Sequence, residues 1–350
     1  MEKIKEQVVL NKKLNILFII AVVLAHTALF GQGVSKTGTT SAKFLSIGVG
    51  PRANAMGTAF TAIADDATAM YWNPAGIAQI NEYQAVFSYT SMFADLGVNY
   101  FGVVIPAGDL GTLGVNVTVL DIGEMEVTTE NYPEGTGEFF SAGSYSFGLS
   151  FARYITNEFL VGVNLKYVRE DIYNCSAEGF GFDIGTIFTT PFYGIRFAST
   201  ISNYGTKMQM TGDDLLIRYD QDPNSSGNND QIDAYLSTDQ YELPLRLQIG
   251  LSRTFEVMDE QNFTVAVDAT YPNDNEQWVN VGGELSLFNG MVALRGGYKT
   301  IFLEDSQEGL TFGIGLKYDK LYAFKLAVDY SYQQFEYLSN THSFSVMLGF

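Results

Sequence analysis

Asp65 and Asp66 are adjacent acids within a stretch of small residues, Gly48 to Ile80, reading GVGPRANAMGTAFTAIADDATAMYWNPAGIAQI. Two neighbouring carboxylates can hold a cation or gate a polar channel. They can equally satisfy Arg or Lys side chains in a lumen or cap a helix, and both readings stand. Asn73, Pro74 and Gly76 follow, with ordinary turn chemistry: Asn and Gly accept left-handed backbone and Pro fixes φ. Met56, Phe60, Met70, Tyr71 and Trp72 can line a hydrophobic site or pack a plug against a wall. Catalysis is harder to assemble. Apart from His26, in the leader described below, His342 is the one histidine. No motif beside it supports a Ser–His hydrolase, so no enzyme is expected. Cys175 is the single cysteine, which excludes an intramolecular disulfide. It has no companions of metal-ligand type, so neither a metal nor a cofactor is expected. Asp220-Gln221-Asp222-Pro223-Asn224 opens like a calcium loop. However, Ser225 stands where that loop needs Gly, and Gln231 where it needs a bidentate Glu. A solvated, mobile surface loop is the expectation there.

The elements that position these residues differ sharply along the chain. Ala, Gly and Asp suit a pleated surface poorly, so Gly48 to Ile80 is not a strand. Ala53, Met56, Phe60, Ala64 and Ala67 recur at spacings of three and four, which predicts a short helix with a narrow apolar face. Pro74 ends any helix before it. Beyond Ile80 the chain alternates. Tyr145, Phe147, Leu149 and Phe151 interleave with Ser and Gly, and Leu243, Leu245, Leu247, Ile249 and Leu251 with Arg246, Gln248 and Gly250. About fourteen such segments are readable, from 83–92 to 341–350. Aromatic residues at their ends and a Gly, Asn, Lys, Arg and Asp face opposite the apolar one predict a transmembrane β-barrel with a polar lumen. The last strand puts Phe344, Val346, Leu348 and Phe350 on one face, and a terminal Phe350 resembles the signal that outer-membrane barrels present for assembly.

Bulk properties agree. Only 17% of residues are charged, below the roughly 25% usual for soluble domains. A basic lead with Lys12 and Lys13, an apolar run from Leu14 to Leu29 and small or neutral residues at 30–33 read as a signal peptide over 1–31. Its removal takes away four Lys and two Glu, so the net charge of −19 deepens to −21. Nucleic acid is an unsuitable partner for so acidic a chain, whereas outer-membrane lipid is an expected one. The domain reading is signal peptide 1–31, a lumen segment 32–80 and a barrel 81–350. Its two long inserts, 122–142 and 207–242, belong on the extracellular side.

Gly48 to Ala78, together with GVSKTGTT at 33–40 and Phe44-Leu45-Ser46-Ile47-Gly48, resembles the N-terminal signature of PorV/PorQ outer-membrane proteins. More distantly it is similar to FadL-type transporters, which share an NPAG-like segment in the hatch of their barrel. The resemblance implies an all-β fold: about fourteen antiparallel strands around a short helical N-terminal hatch, with Asn73 to Gly76 at the periplasmic mouth. It also implies the outer membrane of a Gram-negative-type envelope and a role in type IX-type protein secretion. The expected partners are the secretion pore and the C-terminal signal domains of exported cargo. The alternatives are FadL-type transport of fatty acids or other hydrophobic molecules, with a ligand in the lumen, and a purely structural or adhesive barrel.

Overall fold

The computed structural model describes residues 36–222, 224, 231–321 and 324–350. The signal peptide at 1–31, residues 32–35 of the lumen segment, Asn228, Asn229 and Asp230 of the acidic loop, and Tyr322 lie outside the described residues.

Fourteen antiparallel strands form a closed barrel: β1 Gln84–Ser91, β2 Gly97–Pro106, β3 Thr112–Glu126, β4 Phe139–Tyr154, β5 Phe159–Ile172, β6 Cys175–Thr189 and β7 Arg196–Gly205, then β8 Arg246–Met258, β9 Gln261–Pro272, β10 Trp278–Leu287, β11 Val292–Ile301, β12 Glu308–Leu321, β13 Phe324–Phe335 and β14 Thr341–Gly349. Each strand pairs with its sequence neighbours. β14 closes the ring on β1, with Phe87 opposite Val346 and Tyr89 opposite Phe344. Closure leaves no unpaired edge, as a bilayer demands.

Burial identifies the medium outside. Along β4, Ser146 and Ser150 are 2% and 3% exposed, whereas Phe147 and Leu149 are 42% and 51% exposed. A soluble sandwich buries its apolar face; here the apolar face points out and the small polar face points in, as lipid requires. Both chain ends of the barrel lie at the short-turn end. Tyr83 and Phe350 exchange two backbone hydrogen bonds of 3.0 Å, and their rings stack at 5.8 Å.

The opposite end carries the long connections, and these are more ordered than expected. A register shift between Asp121 and Glu124 lets β3 continue to Glu126, pairing Glu126 with Phe139. The first insert is therefore shorter than 122–142. Alternation had hidden this extension because its residues stand clear of lipid and need no apolar face. The second insert carries a hairpin, Leu216–Tyr219 with Ile232–Tyr235, and a pairing of Met208–Gln209 with Gln240–Tyr241. The fully mobile loop expected here is thus corrected: much of it is folded.

Residues 37–80 run through the lumen. The single helix expected between Gly48 and Ile80 is instead α1 Pro51–Ala55, α2 Ala69–Trp72 and a 3-10 helix Pro74–Gln79, joined by turns. Gly57 and Thr58, at φ +61° and +62°, break the helical run. Ala53, Met56, Phe60, Ala64 and Ala67 are all fully buried. A segment enclosed by a wall, with Asp65 its one exposed residue between Gly48 and Ile80, has almost no solvent face, so helical periodicity stops being informative. Pro74 does follow the end of α2, but it also opens the next helix, where its missing N–H is no loss.

Candidate functional site

The lumen plug is the feature that decides what can pass. Its backbone is irregular, so its N–H and C=O groups need partners that a helix would otherwise supply. The barrel wall provides them. Asp268 on β9 accepts from Phe60 N–H at 3.0 Å and Thr61 N–H at 2.9 Å. Thr311 on β12 accepts from Gly57 N–H at 3.0 Å and donates to Ala55 C=O at 2.9 Å. Tyr100 on β2 donates to Ala67 C=O at 3.1 Å. Asn73 donates to Thr61 C=O at 3.0 Å and to Thr186 C=O of β6 at 3.1 Å, while its Oδ1 accepts from Ala75 N–H.

Packing is as close as the bonding. At Gly162 on β5 a Cβ would lie 2.3 Å from Ala75 N, and at Gly185 on β6 it would lie 1.9 Å from Asn73 Oδ1. Gly297 on β11 meets the backbone of Met56 and Gly57 in the same way. Part of the high glycine content thus serves plug-to-wall contact. Asn73 and Pro74 therefore meet β5 and β6 in the half of the barrel nearer the short turns, whereas Gly76 packs inside the plug, where a Cβ would lie 2.1 Å from Ala64 O.

Asp65 and Asp66 find their base on the plug itself. Arg52 bonds Asp65 at 2.5 Å and Asp66 at 3.2 Å, then reaches the wall through Glu284 on β10. Glu284 also takes Arg295 at 2.6 Å, and Arg295 takes Asp329 at 2.5 Å. Burial alone would lower the Arg52 guanidinium, but the carboxylates of Asp65, Glu284 and Asp66 hold it well above its usual value. Asp66 Oδ1 also accepts from Thr68 N–H at 2.9 Å, tying the turn that leads into α2. This network borders a polar cavity of about 290 Å³ on the short-turn side, with Lys317 and Lys325 across it.

Met56, Phe60, Met70 and Trp72 belong to one buried cluster with wall residues Tyr100 and Ile187, and Tyr71 packs against it. Phe60 and Trp72 meet edge to face at 6.3 Å. Trp72 donates to Val49 C=O at 2.9 Å, and Tyr71 OH reaches the carbonyls of Leu45 and Ile47. Trp72 also borders a second cavity, of about 200 Å³, on the long-loop side.

A strap above this cavity was not anticipated from residue patterns. The 3-10 turn Lys43–Ser46 is held to the rim by Lys43 on Asp274 at 2.5 Å, Ser41 N–H on Glu242 C=O and Ala42 N–H on Glu170. Phe44 and Leu45 bury against Val168, Met208 and Leu243. Arg52 and Glu284 were also missed, although Arg52 is the only base between Gly48 and Ile80 and so the natural partner for the two acids there.

Comparison with known proteins fits this geometry. The family model described as "Type IX secretion system protein PorV" matches residues 31–212, just over half of the chain. No match is found among curated proteins. Among solved structures, a FadL homologue from Pseudomonas aeruginosa is similar with a TM-score of 0.53 and 11% identity, over 87% of this chain and 98% of that one. The Pseudomonas putida toluene transporter TodX has a TM-score of 0.54 and 12% identity, over 85% and 96%. The CymD monoaromatic hydrocarbon channel has the same two values, over 86% and 96%. At such identities the likeness shows a shared fold.

Proposed function

The chain belongs to the PorV family of type IX secretion system proteins, barrels of the cell outer membrane, and we propose that it serves that pathway by binding rather than by catalysis. Its partners in this reading are the secretion pore, the C-terminal signal domains of exported cargo, or both. The observation that carries the reading is the plug. It is bonded to β2, β6, β9, β10 and β12 and is packed against wall glycines without room for a methyl group. A lumen closed so tightly favours work at the outer surface and the rim. The long-loop rim offers acidic and aromatic groups for this, including Tyr132, Tyr219, Tyr235 and Tyr241, all exposed. Such mixtures suit wet protein interfaces.

A second reading, passage of hydrophobic small molecules, draws on the fold shared with TodX and CymD. The chambers on either side of the plug weigh against it, because Arg52, Asp65, Glu284 and Arg295 border one, and Arg246, Gln248 and Lys299 the other. Crosslinking in outer membranes, purification in mild detergent and mass spectrometry discriminate the two. Recovery of a large pore protein, or of exported proteins sharing a C-terminal domain, supports secretion. Recovery of the barrel alone with bound apolar molecules overturns it.

A further inference from the structure

The chamber of about 200 Å³ on the long-loop side is bordered by Trp72 of the plug and by Arg246, Gln248, Trp278 and Lys299 of the wall. Its cations are not equivalent. Lys43 is paired with Asp274 and Lys299 with Glu308, each at 2.5 Å. Arg246 is 9% exposed, its Nε has no hydrogen-bond partner, and among the described residues no carboxylate lies within ion-pairing distance of it. Asp268, on the neighbouring strand, commits Oδ2 to the plug backbone and leaves Oδ1 without a partner, so its charge acts on Arg246 without a direct ion pair. The guanidinium stands over the rings of Tyr71 and Trp72, 5.7 Å from each centroid. Stacking of this kind stabilises the cation's face, and the Tyr71 hydroxyl oxygen is a neutral acceptor beside it, but no carboxylate meets the N–H edge. Beside it Gln248 is 1% exposed, and its Oε1 also has no partner.

A buried cation without a direct ion pair is costly, and so is a buried acceptor without a donor. Two such groups on one strand, at one chamber, are both relieved by one kind of ligand. We propose that the chamber binds a compact organic carboxylate that also carries a hydroxyl. The carboxylate pairs with Arg246, the hydroxyl donates to Gln248 Oε1, and the body of the ligand lies against Trp72 and Trp278. The chamber falls below the roughly 300–1,000 Å³ of ordinary ligand pockets, which favours a small anion over a long acyl chain. The proposal is independent of the secretion partners.

The chain has two tryptophans, and both border this chamber. Intrinsic tryptophan fluorescence of the full chain in detergent therefore reads the site directly. The probe is mandelate, with the neutral mandelamide as its isostere. The expected result is a saturable change with mandelate, with affinity weaker by about tenfold or more for mandelamide and for Arg246→Gln. Lys317→Gln, at the other cavity, should leave the titration unchanged. The acid–amide comparison uses the unaltered protein, so it stands even where a variant folds poorly. Equal responses to acid and amide, no saturable response into the millimolar range, or an equal loss in Lys317→Gln would overturn the proposal.

Discussion

Arg52 of the plug and Glu284 of the wall are joined by two hydrogen bonds, Nε to Oε2 at 2.9 Å and Nη2 to Oε1 at 3.0 Å. The fork matches the carboxylate edge, a geometry that a lysine cannot reproduce. Arg52→Ala leaves Glu284 and Asp66 short of a charge partner, and breaking a buried pair in this way costs about 3–5 kcal/mol. The expected outcome is a barrel that still assembles but unfolds at lower temperature in detergent and admits small solutes in a liposome-swelling assay. Arg52→Lys should fall between the two. Wild-type stability and tightness in Arg52→Ala would show that the network does not anchor the plug.

Gly162 faces the plug where the 3-10 helix Pro74–Gln79 begins, and a Cβ there would meet backbone atoms of Pro74 and Ala75 at 2.3–2.5 Å. Backbone cannot rotate away as a flexible side chain can, so Gly162→Val must push the plug or bend β5. The expected result is a reduced yield of folded, heat-modifiable barrel on gels. Gly296→Ala, where the nearest atoms lie at 3.9 Å, should fold normally. If both variants assemble equally well, the close approach is not what seats the plug.

How much of this was legible beforehand follows from which medium each residue faces. All fourteen strands could be read because lipid and lumen impose opposite demands on alternate residues, as at Ser146 and Phe147. Glu124 and Glu126, beyond the bilayer, escape that demand and so extended β3 unnoticed. Inside the barrel the rule fails in another way. Between Ala53 and Ala67 every residue but Asp65 is buried, so an apparent helical face concealed the end of one short helix, two left-handed residues and a run of turns. The pairing of Asp65 and Asp66 with basic groups was one of two open readings, and the base proved to be Arg52 of the plug. Glu284, Asp268 and Arg246 had no local signal for their plug contacts, because each meets a plug residue about 170 to 230 positions away in the chain.

Asp268 Oδ2 holds the N–H groups of Phe60 and Thr61, so its removal orphans two buried donors in one step. An unsatisfied buried donor costs about 1–3 kcal/mol. Asp268→Ala should therefore destabilise more than Asp268→Asn, whose remaining side-chain oxygen can still accept. Thermal unfolding of the two variants in one detergent checks the order. Equal melting temperatures would mean the plug backbone finds other acceptors.

The hairpin formed by Leu216–Tyr219 and Ile232–Tyr235 pairs only with itself among the described strands. The barrel closes through other strands, so replacing residues 216–235 with a short Gly–Ser linker should leave folding and plug anchorage intact, since loop length itself costs little. On the secretion reading the loss falls on partner capture: crosslinking from outer membranes should recover markedly less exported protein while the barrel's own yield is unchanged. Unchanged recovery would move the docking surface off this hairpin, to the Phe139 side of the rim or to the strap around Lys43. Restoring the hairpin with Tyr219 and Tyr235 both changed to Ser then separates the two ways the loop can act. Capture that returns with the backbone alone points to shape, and capture that needs the rings points to the aromatic contact itself.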